Sequence, residues 1–477
     1  MTFDPDTLNR TLKIDLDSGV ASSLAEAEER AGQYILQILV GPGVVQSPTR
    51  QAALLTAVNS GCRAFFGGVR VDLREDFAFS TPWYSGQSAS EVLQMVPGVS
   101  FTDSLDPARP VIVIGDATWD DDWPLYVSWE GWSAGVVPTA AEHLTESVEN
   151  PLSGVLAGAL AVSEAFQWAR GYKVAAGRAV GFSLWQPGAD WRSADAHGEP
   201  IAFLPSNLWL LGLGHLGQAC AWALGFLPYA DRSVVRIMLQ DYDVVTEANE
   251  STSMLVEKDD RGLKTRLAAT ALDGLGFTTR ITERAFDEHA RRAGDEPRIA
   301  IAGFDSPAPR QLLEQAGFSY VVDAGLGSSA DDYLGIHVRT FPASRSARDV
   351  FNVAVNAPDM SMLDKPAYRA EVDAARNADT TLTEEAAKCG ILEVAGISVG
   401  AAFVGCLAST FALSEVLRML IADGPRNEAI DVTLRSPQHL QWTPNQTPLI
   451  DVNPGFVEAA GYGAKTVSPD DDTQRQT

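Results

Sequence analysis

Apolar positions in the second half of the chain switch between two periods. Short unbroken runs, "LWLLGLG", "VVRIMLQDYDVV", "RIAIAGFDS" and "SYVVDAGLGSS", read as buried strands that end in Gly or Asp. Between them, "QACAWALGFL", "LKTRLAATALDGLG" and "APRQLLEQAG" carry apolar residues at helical spacing. Strands alternating with helices predict a parallel sheet covered on its faces.

The first half repeats the scheme in a worn form. "YILQILVGPGVVQSPTRQAALLTAV" parallels the opening strand, glycine loop and helix. "RPVIVIGDATWDDDWPLYVSWEGWSAG" parallels "PRIAIAGFDSPAPRQLLEQAGFSYVVDAGLG", and "SGVLAGALAVSEAFQWARG" parallels "VGAAFVGCLASTFALSEVLRML". The strands "AVGFSLW" and "AIDVTLR" then follow in matching places. Four such pairs in one order imply a duplicated unit. The expected division is a leader over 1–30, a degenerate half over 31–200, a nucleotide-competent half over 201–440 with an insertion near 341–390, and an extension over 441–477 whose tail "SPDDDTQRQT" is disordered.

Composition narrows the classes. At 477 residues, 45% hydrophobic and 21% charged, the chain is a globular protein of more than one domain. A formal net charge of −26 argues against a nucleic-acid surface, which needs clustered Lys and Arg. The four cysteines, Cys62, Cys220, Cys389 and Cys406, form no C-x-x-C pair, which disfavours a zinc knuckle and fits a reducing, cytoplasmic setting. The uncharged stretch Val394 to Ser414 is long enough to span a bilayer, but its glycines, serines and threonine predict a buried helix with its preceding loop. The N-terminus lacks the apolar core of a signal peptide.

The chemistry gathers at "LGLGHLGQA". Gly212 permits a tight turn, Gly214 lets a phosphate approach the backbone, and Gly217 lets the helix pack on the strand. That fingerprint alone suits NAD, FAD or ATP. Asp241 then ends the next strand where a ribose-binding acid belongs. Asp243, Asn249 and Lys264 follow, and a lysine near a helix start suits a triphosphate better than a dinucleotide. Asp305 ends a further strand and has two readings, a helix cap or a Mg²⁺ ligand.

This series, Gly-x-Gly-x-x-Gly, Asp-x-Asp-x-Val, Asn, Gly…Lys and strand-end Asp, resembles the ubiquitin-activating and ThiF/MoeB-like adenylyltransferases. The likeness covers about residues 205–330 and extends through "CGILEVAGISVGAAFVG". It implies an α/β fold of two Rossmann-like ThiF-type repeats packed as a pseudo-dimer, the N-terminal copy degenerate. It also implies that Asp241 binds the ATP ribose, that Asn249 and Lys264 contact phosphates, that Asp305 holds Mg²⁺, and that Arg310 matches a family arginine. The implied activity is adenylation of the C-terminal carboxylate of a ubiquitin-like protein or peptide. Cys389 is the candidate thioester acceptor, which brings in a conjugating partner.

Two departures stand out. Thr252 occupies the place of the arginine in the family's Asn-x-x-Arg, and the zinc cysteines of the MoeB-like branch are absent. Arg261, Arg266 or, from the first half, Arg30 are the candidate replacements. The rival readings are an NAD-dependent Rossmann oxidoreductase and a non-catalytic nucleotide-binding scaffold.

Overall fold

The computed structural model describes residues 4–352, 360–378, 381, 383–421, 424–450 and 452–461. The tail "SPDDDTQRQT" lies outside the described residues.

The leader forms α1 (Lys13–Asp17) and α2 (Leu24–Ala31). The first half then runs β1 (Leu36–Val40), α3 (Pro48–Ala64), β2 (Val69–Leu73), α4 (Ala89–Met95), β3 (Val99–Phe101), β4 (Val111–Ile114), β5 (Pro124–Glu130), β6 (Ser133–Val137), α5 (Pro151–Ala169) and β7 (Val180–Ser183). Local chemistry sets the two long helices. Ser47 accepts the Arg50 N–H ahead of α3, and Asn150 accepts the Leu152 N–H ahead of α5, each followed by a proline in the first turn. The sheet order is β3-β2-β1-β4-β5-β6-β7, parallel as far as β5 and antiparallel beyond.

The second half has β8 (Phe203–Pro205), β9 (Asn207–Leu211), α6 (His215–Phe226), β10 (Arg236–Gln240), α7 (Lys264–Gly274), β11 (Thr278–Thr282), β12 (Ile299–Ala302), α8 (Pro307–Arg310), β13 (Tyr320–Leu326) and β14 (Gly335–Phe341). Then come α9 (Ala347–Val350), α10 (Pro366–Ala378), α11 (Glu384–Ala395), α12 (Ala402–Arg418), β15 (Asn427–Thr433), β16 (Gln441–Pro444) and β17 (Phe456–Glu458). Its sheet order is β11-β10-β9-β12-β13-β14-β15-β16. This is the first sheet's order with one strand added, again parallel up to β13 and antiparallel after it.

The chain is therefore an α/β protein of two Rossmann-like repeats. α5 and α12 are equivalent helices, and each carries a buried Ser-Glu pair, Ser163-Glu164 and Ser414-Glu415. Glu164 takes two hydrogen bonds from Arg178, and Glu415 takes bonds from Arg418 and Asn427. One continuous apolar core joins the halves. Phe166 of α5 meets Phe403 of α12 with ring centroids 5.4 Å apart, a contact contributing about 0.5–1.5 kcal/mol beyond area burial.

Leader and insertion, which read as separate segments in the sequence, pack together. The leader buries Leu12, Leu16 and Ala27 against Tyr368 and Val372 of α10 and Ile391 of α11. Inside this layer the Lys13 ammonium donates to Asp17 at 2.6 Å and to the Ala395 carbonyl at 3.0 Å, and the Tyr368 hydroxyl donates to Asp17. Burial lowers the Lys13 pKa and raises that of Asp17, so the pair holds its charges through mutual contact. Among the described residues no helix is long and apolar enough to cross a membrane, and Val394 to Ser414 divides between the end of α11, a loop and α12.

Candidate functional site

The site lies at the carboxyl ends of β9, β10 and β12, where an open parallel sheet leaves a crevice. The glycine loop between β9 and α6 forms its floor. Gly212 has φ +79°, and a β-carbon on it would lie 3.0 Å from the Gly303 carbonyl oxygen, so the turn requires glycine. A β-carbon on Gly217 would lie 1.9 Å from the Gly212 carbonyl oxygen, which is how closely α6 approaches its own loop. Gly214 has nothing within 4 Å of that position and opens toward the crevice. It caps α6 without any side-chain bond, leaving the first N–H groups of that helix for a ligand.

The acids after β10 are tied to this loop. The Asp241 carboxylate accepts the Leu213 N–H at 2.6 Å and the Asp243 N–H at 2.8 Å. Lys264, 9% exposed at the start of α7, reaches Asp243 at 2.8 Å, and its backbone N–H bonds the Asp243 carbonyl. The lysine is thus buried along its stem and paired with a half-exposed carboxylate that a phosphate can displace. Asn249 uses its side-chain oxygen to accept the Thr246 N–H at 2.9 Å, shaping the turn over Glu247–Ser251.

Asp305 is exposed, two residues beyond the pair of glycine contacts made by Gly303, and takes no hydrogen bond or ion pair among the described residues. The cap position of α8 belongs to Ser306, so Asp305 does not cap that helix. Arg310 turns inward. It donates to the Phe304 and Ala324 carbonyls and stands 3.4 Å from Asp323, whose carboxyl burial pushes up to about 7. Its guanidinium braces β12 against β13. Cys389 is exposed on α11, in the helical layer built from leader and insertion.

Several residues at the site carried no readable signal. Buried Gln218 donates to the Leu213 carbonyl and accepts the Leu255 N–H, linking loop and following segment. His215 lies against α12, where Gly400 and Gly405 leave room for its ring, and burial lowers its pKa to about 4. The leader crosses the same place. Asp6 accepts the Ala248 N–H at 2.7 Å, Arg10 donates its N–H to Ser251 at 3.1 Å and accepts the Gly400 N–H at 3.3 Å. One guanidinium nitrogen of Arg10 is buried without a partner. Of the candidate arginines named from the sequence, Arg266 pairs with Glu283 at 2.8 Å, Arg261 stands 4.0 Å from Asp259, and Arg30 stands 3.8 Å from Asp15.

The equivalent crevice of the first half is filled from within. Arg50, in the first turn of α3, spans Asp116 at 2.8 Å and Glu146 at 2.7 Å. A β-carbon on Gly43 of the worn loop would lie 2.4 Å from that guanidinium. A protein cation therefore sits where the other half keeps open glycine.

Fold and site together define a two-repeat α/β protein with one open glycine loop. Family models described as the BilD N-terminal domain and the BilD C-terminal domain match residues 35–184 and 204–423. The bacterial E1-like protein BilD of Collimonas sp. (strain OK412) is 38% identical over 425 residues, covering 88% of this chain and 90% of the relative. The chain belongs to the bacterial E1-like BilD family. Among solved structures, E. coli MccB with MccA-N7isoASN is 12% identical at a TM-score of 0.32, covering 50% of this chain and 65% of that one. MccB with AMPCPP and MccA is 13% identical at the same TM-score, covering 50% and 64%. The chain thus spans just under two thirds of MccB, and the overlap is too loose to bear on the fold, which rests on the two sheets themselves.

Proposed function

We propose that the chain is an ATP-dependent adenylyltransferase of the ThiF type that activates the C-terminal carboxylate of a ubiquitin-like protein or peptide. The carboxylate oxygen bonds to the α-phosphorus of ATP, the bond from that phosphorus to the bridging oxygen breaks, and pyrophosphate leaves. The observation that carries this reading is the grouping of Lys264, Asp241, Asp243 and a partner-free Asp305 around one open glycine loop. Membership of an E1-like family supports it.

In this reading the loop N–H groups and Lys264 receive the phosphates, Asp241 receives the ribose, and Asn249 shapes the segment beside them. Rate comes from positioning and from charge placed where pyrophosphate departs. The exposed, unpaired carboxylate of Asp305 fits Mg²⁺, which takes one or two carboxylates together with phosphate oxygens and would neutralise triphosphate charge there. Arg10, whose backbone is held at Ser251 and Gly400 and whose guanidinium donates to the Pro5 carbonyl while keeping one buried nitrogen unpaired, supplies the cation that Thr252 lacks. Cys389, exposed on α11, is the acceptor in a second step: its thiolate attacks the acyl carbonyl, a thioester forms and AMP leaves. A conjugating partner would then take the acyl group.

The test is ATP–pyrophosphate exchange with a ubiquitin-like protein bearing a free C-terminus. Exchange that requires that carboxylate is expected; saturable NAD(H) binding without exchange would favour an oxidoreductase. The uncharged Thr252 supports one other reading, a nucleotide-binding scaffold, for which calorimetry would detect Mg·ATP binding with no exchange.

A further inference from the structure

The filled crevice of the first half retains a cavity of about 350 Å³, on the order of ten water volumes. One guanidinium, Arg50, faces three carboxylates there: Asp116 beyond β4, and Glu146 and Glu149 in the segment before α5. Arg50 engages one Glu146 oxygen; the other makes no hydrogen bond and stands 3.4 Å from the His143 Nδ1, although the side chain is only 8% exposed. Burial, with a smaller push from Asp116 and Glu149, raises the Glu146 carboxyl to about 7 against the pull of Arg50. Trp129, 1% exposed, lines the same cavity, and its indole N–H is unpaired. His143 lines it too, its pKa lowered by burial and by Arg50, so it adds no positive charge near neutrality.

This lining holds two more carboxyl groups than guanidinium groups, and one indole N–H in it lacks an acceptor. Excess carboxylate beside an unpaired N–H donor fits an organic ammonium that carries a carbonyl oxygen close by. We propose that the crevice binds an α-amino amide, its ammonium beside Glu146 and Glu149 and its carbonyl oxygen at the Trp129 indole. The same chemistry occurs in a free amino-acid amide and in the first residue of a peptide. This site is separate from the nucleotide crevice of the second half and does not depend on the activity assigned there.

Isothermal titration of the full chain with L-leucinamide, with the tripeptide amide Leu-Ala-Ala-NH₂ and with N-acetyl-leucinamide tests it. The expected result is saturable binding of at least one free amine, and binding at least about tenfold weaker for the acetylated compound. Comparable affinity for the tripeptide identifies peptide N-termini as the source, and loss of affinity on lengthening identifies the free amide. Glu146→Gln should weaken binding by about tenfold or more, while Asp305→Asn should leave it unchanged. Should Glu146→Gln fail to fold, the acetylated compound on the native protein decides alone. No saturable heat from either amine up to about 10 mM, or equal binding of the acetylated compound, overturns the proposal.

Discussion

Gly214 separates a loop that is merely tight from one that holds a phosphate. Replacing it with alanine adds a methyl group where the protein has nothing within 4 Å, at a residue with φ −77°. Two small effects act on stability. Restricting the unfolded chain stabilises by about 0.4–1 kcal/mol, and alanine is a poorer helix cap than glycine by a similar amount. They nearly cancel, so the melting temperature should move by no more than about 2 °C in a chain of this size. A bound phosphate would meet that methyl group. Loss of one hydrogen bond to a charged group costs about 1.5–3 kcal/mol, or roughly 10- to 150-fold in ATP affinity. Gly217→Ala is the contrasting variant, because its methyl would sit 1.9 Å from the Gly212 oxygen and force loop and helix apart. Overpacking of that kind costs about 1–3 kcal/mol, so stability and binding should fall together. Calorimetric ATP titration and thermal melting of both variants read the two effects. A Gly214→Ala protein that binds ATP as the native chain does refutes the placement of phosphate at this loop.

Four further outcomes follow from the geometry. Lys264→Ala and Asp305→Ala should each abolish pyrophosphate exchange while the protein stays folded, since the lysine's partner Asp243 is half-exposed and Asp305 has no partner; native turnover in either sinks the site assignment. Arg10→Ala should lower exchange by about 10²-fold, the scale of removing one charge-stabilising donor, and Arg30→Ala should not; equal effects would undo the choice between them. Cys389→Ala should keep exchange and lose a thiol-sensitive conjugate on a gel, and a conjugate that survives excludes the thioester role. For pH, Glu146 has a folded pKa of about 7 against an ordinary value of 4.5, so the folded state binds more protons across that window. Its contribution to stability is therefore present below the unfolded value and lost as pH rises through 7. Melting curves from pH 4.5 to 8 should show a shallower decline for Glu146→Gln than for the native chain, and an identical slope would remove Glu146 as the cause.

The strand and helix alternation was readable because every strand around the site is apolar on both faces, as β9, β10 and β12 are when helices cover the sheet. The duplication was readable for the same reason: two copies must bury the same faces, and the buried Ser-Glu pairs of α5 and α12 survived with them. Asp305 was ambiguous in sequence because a strand-end acid before a helix also suits a cap; only the observed start of α8 gave that place to Ser306. Arg310 matched a family position, yet the fold turns it onto Asp323 and two carbonyls.

The sequence alone determined the two repeats, the glycine loop that can stay open, and the acids and lysine that follow it, because these depend on periodicity and on spacing within one β-α-β unit. Tertiary structure decided the rest. Arg10 meets Ser251 across 241 residues, the leader packs on the insertion that bears Cys389, and Arg50 closes the worn crevice against Glu146 across 96. Such contacts form where a polar group loses water and must find whatever partner the packed chain brings near it, and no local pattern records that choice.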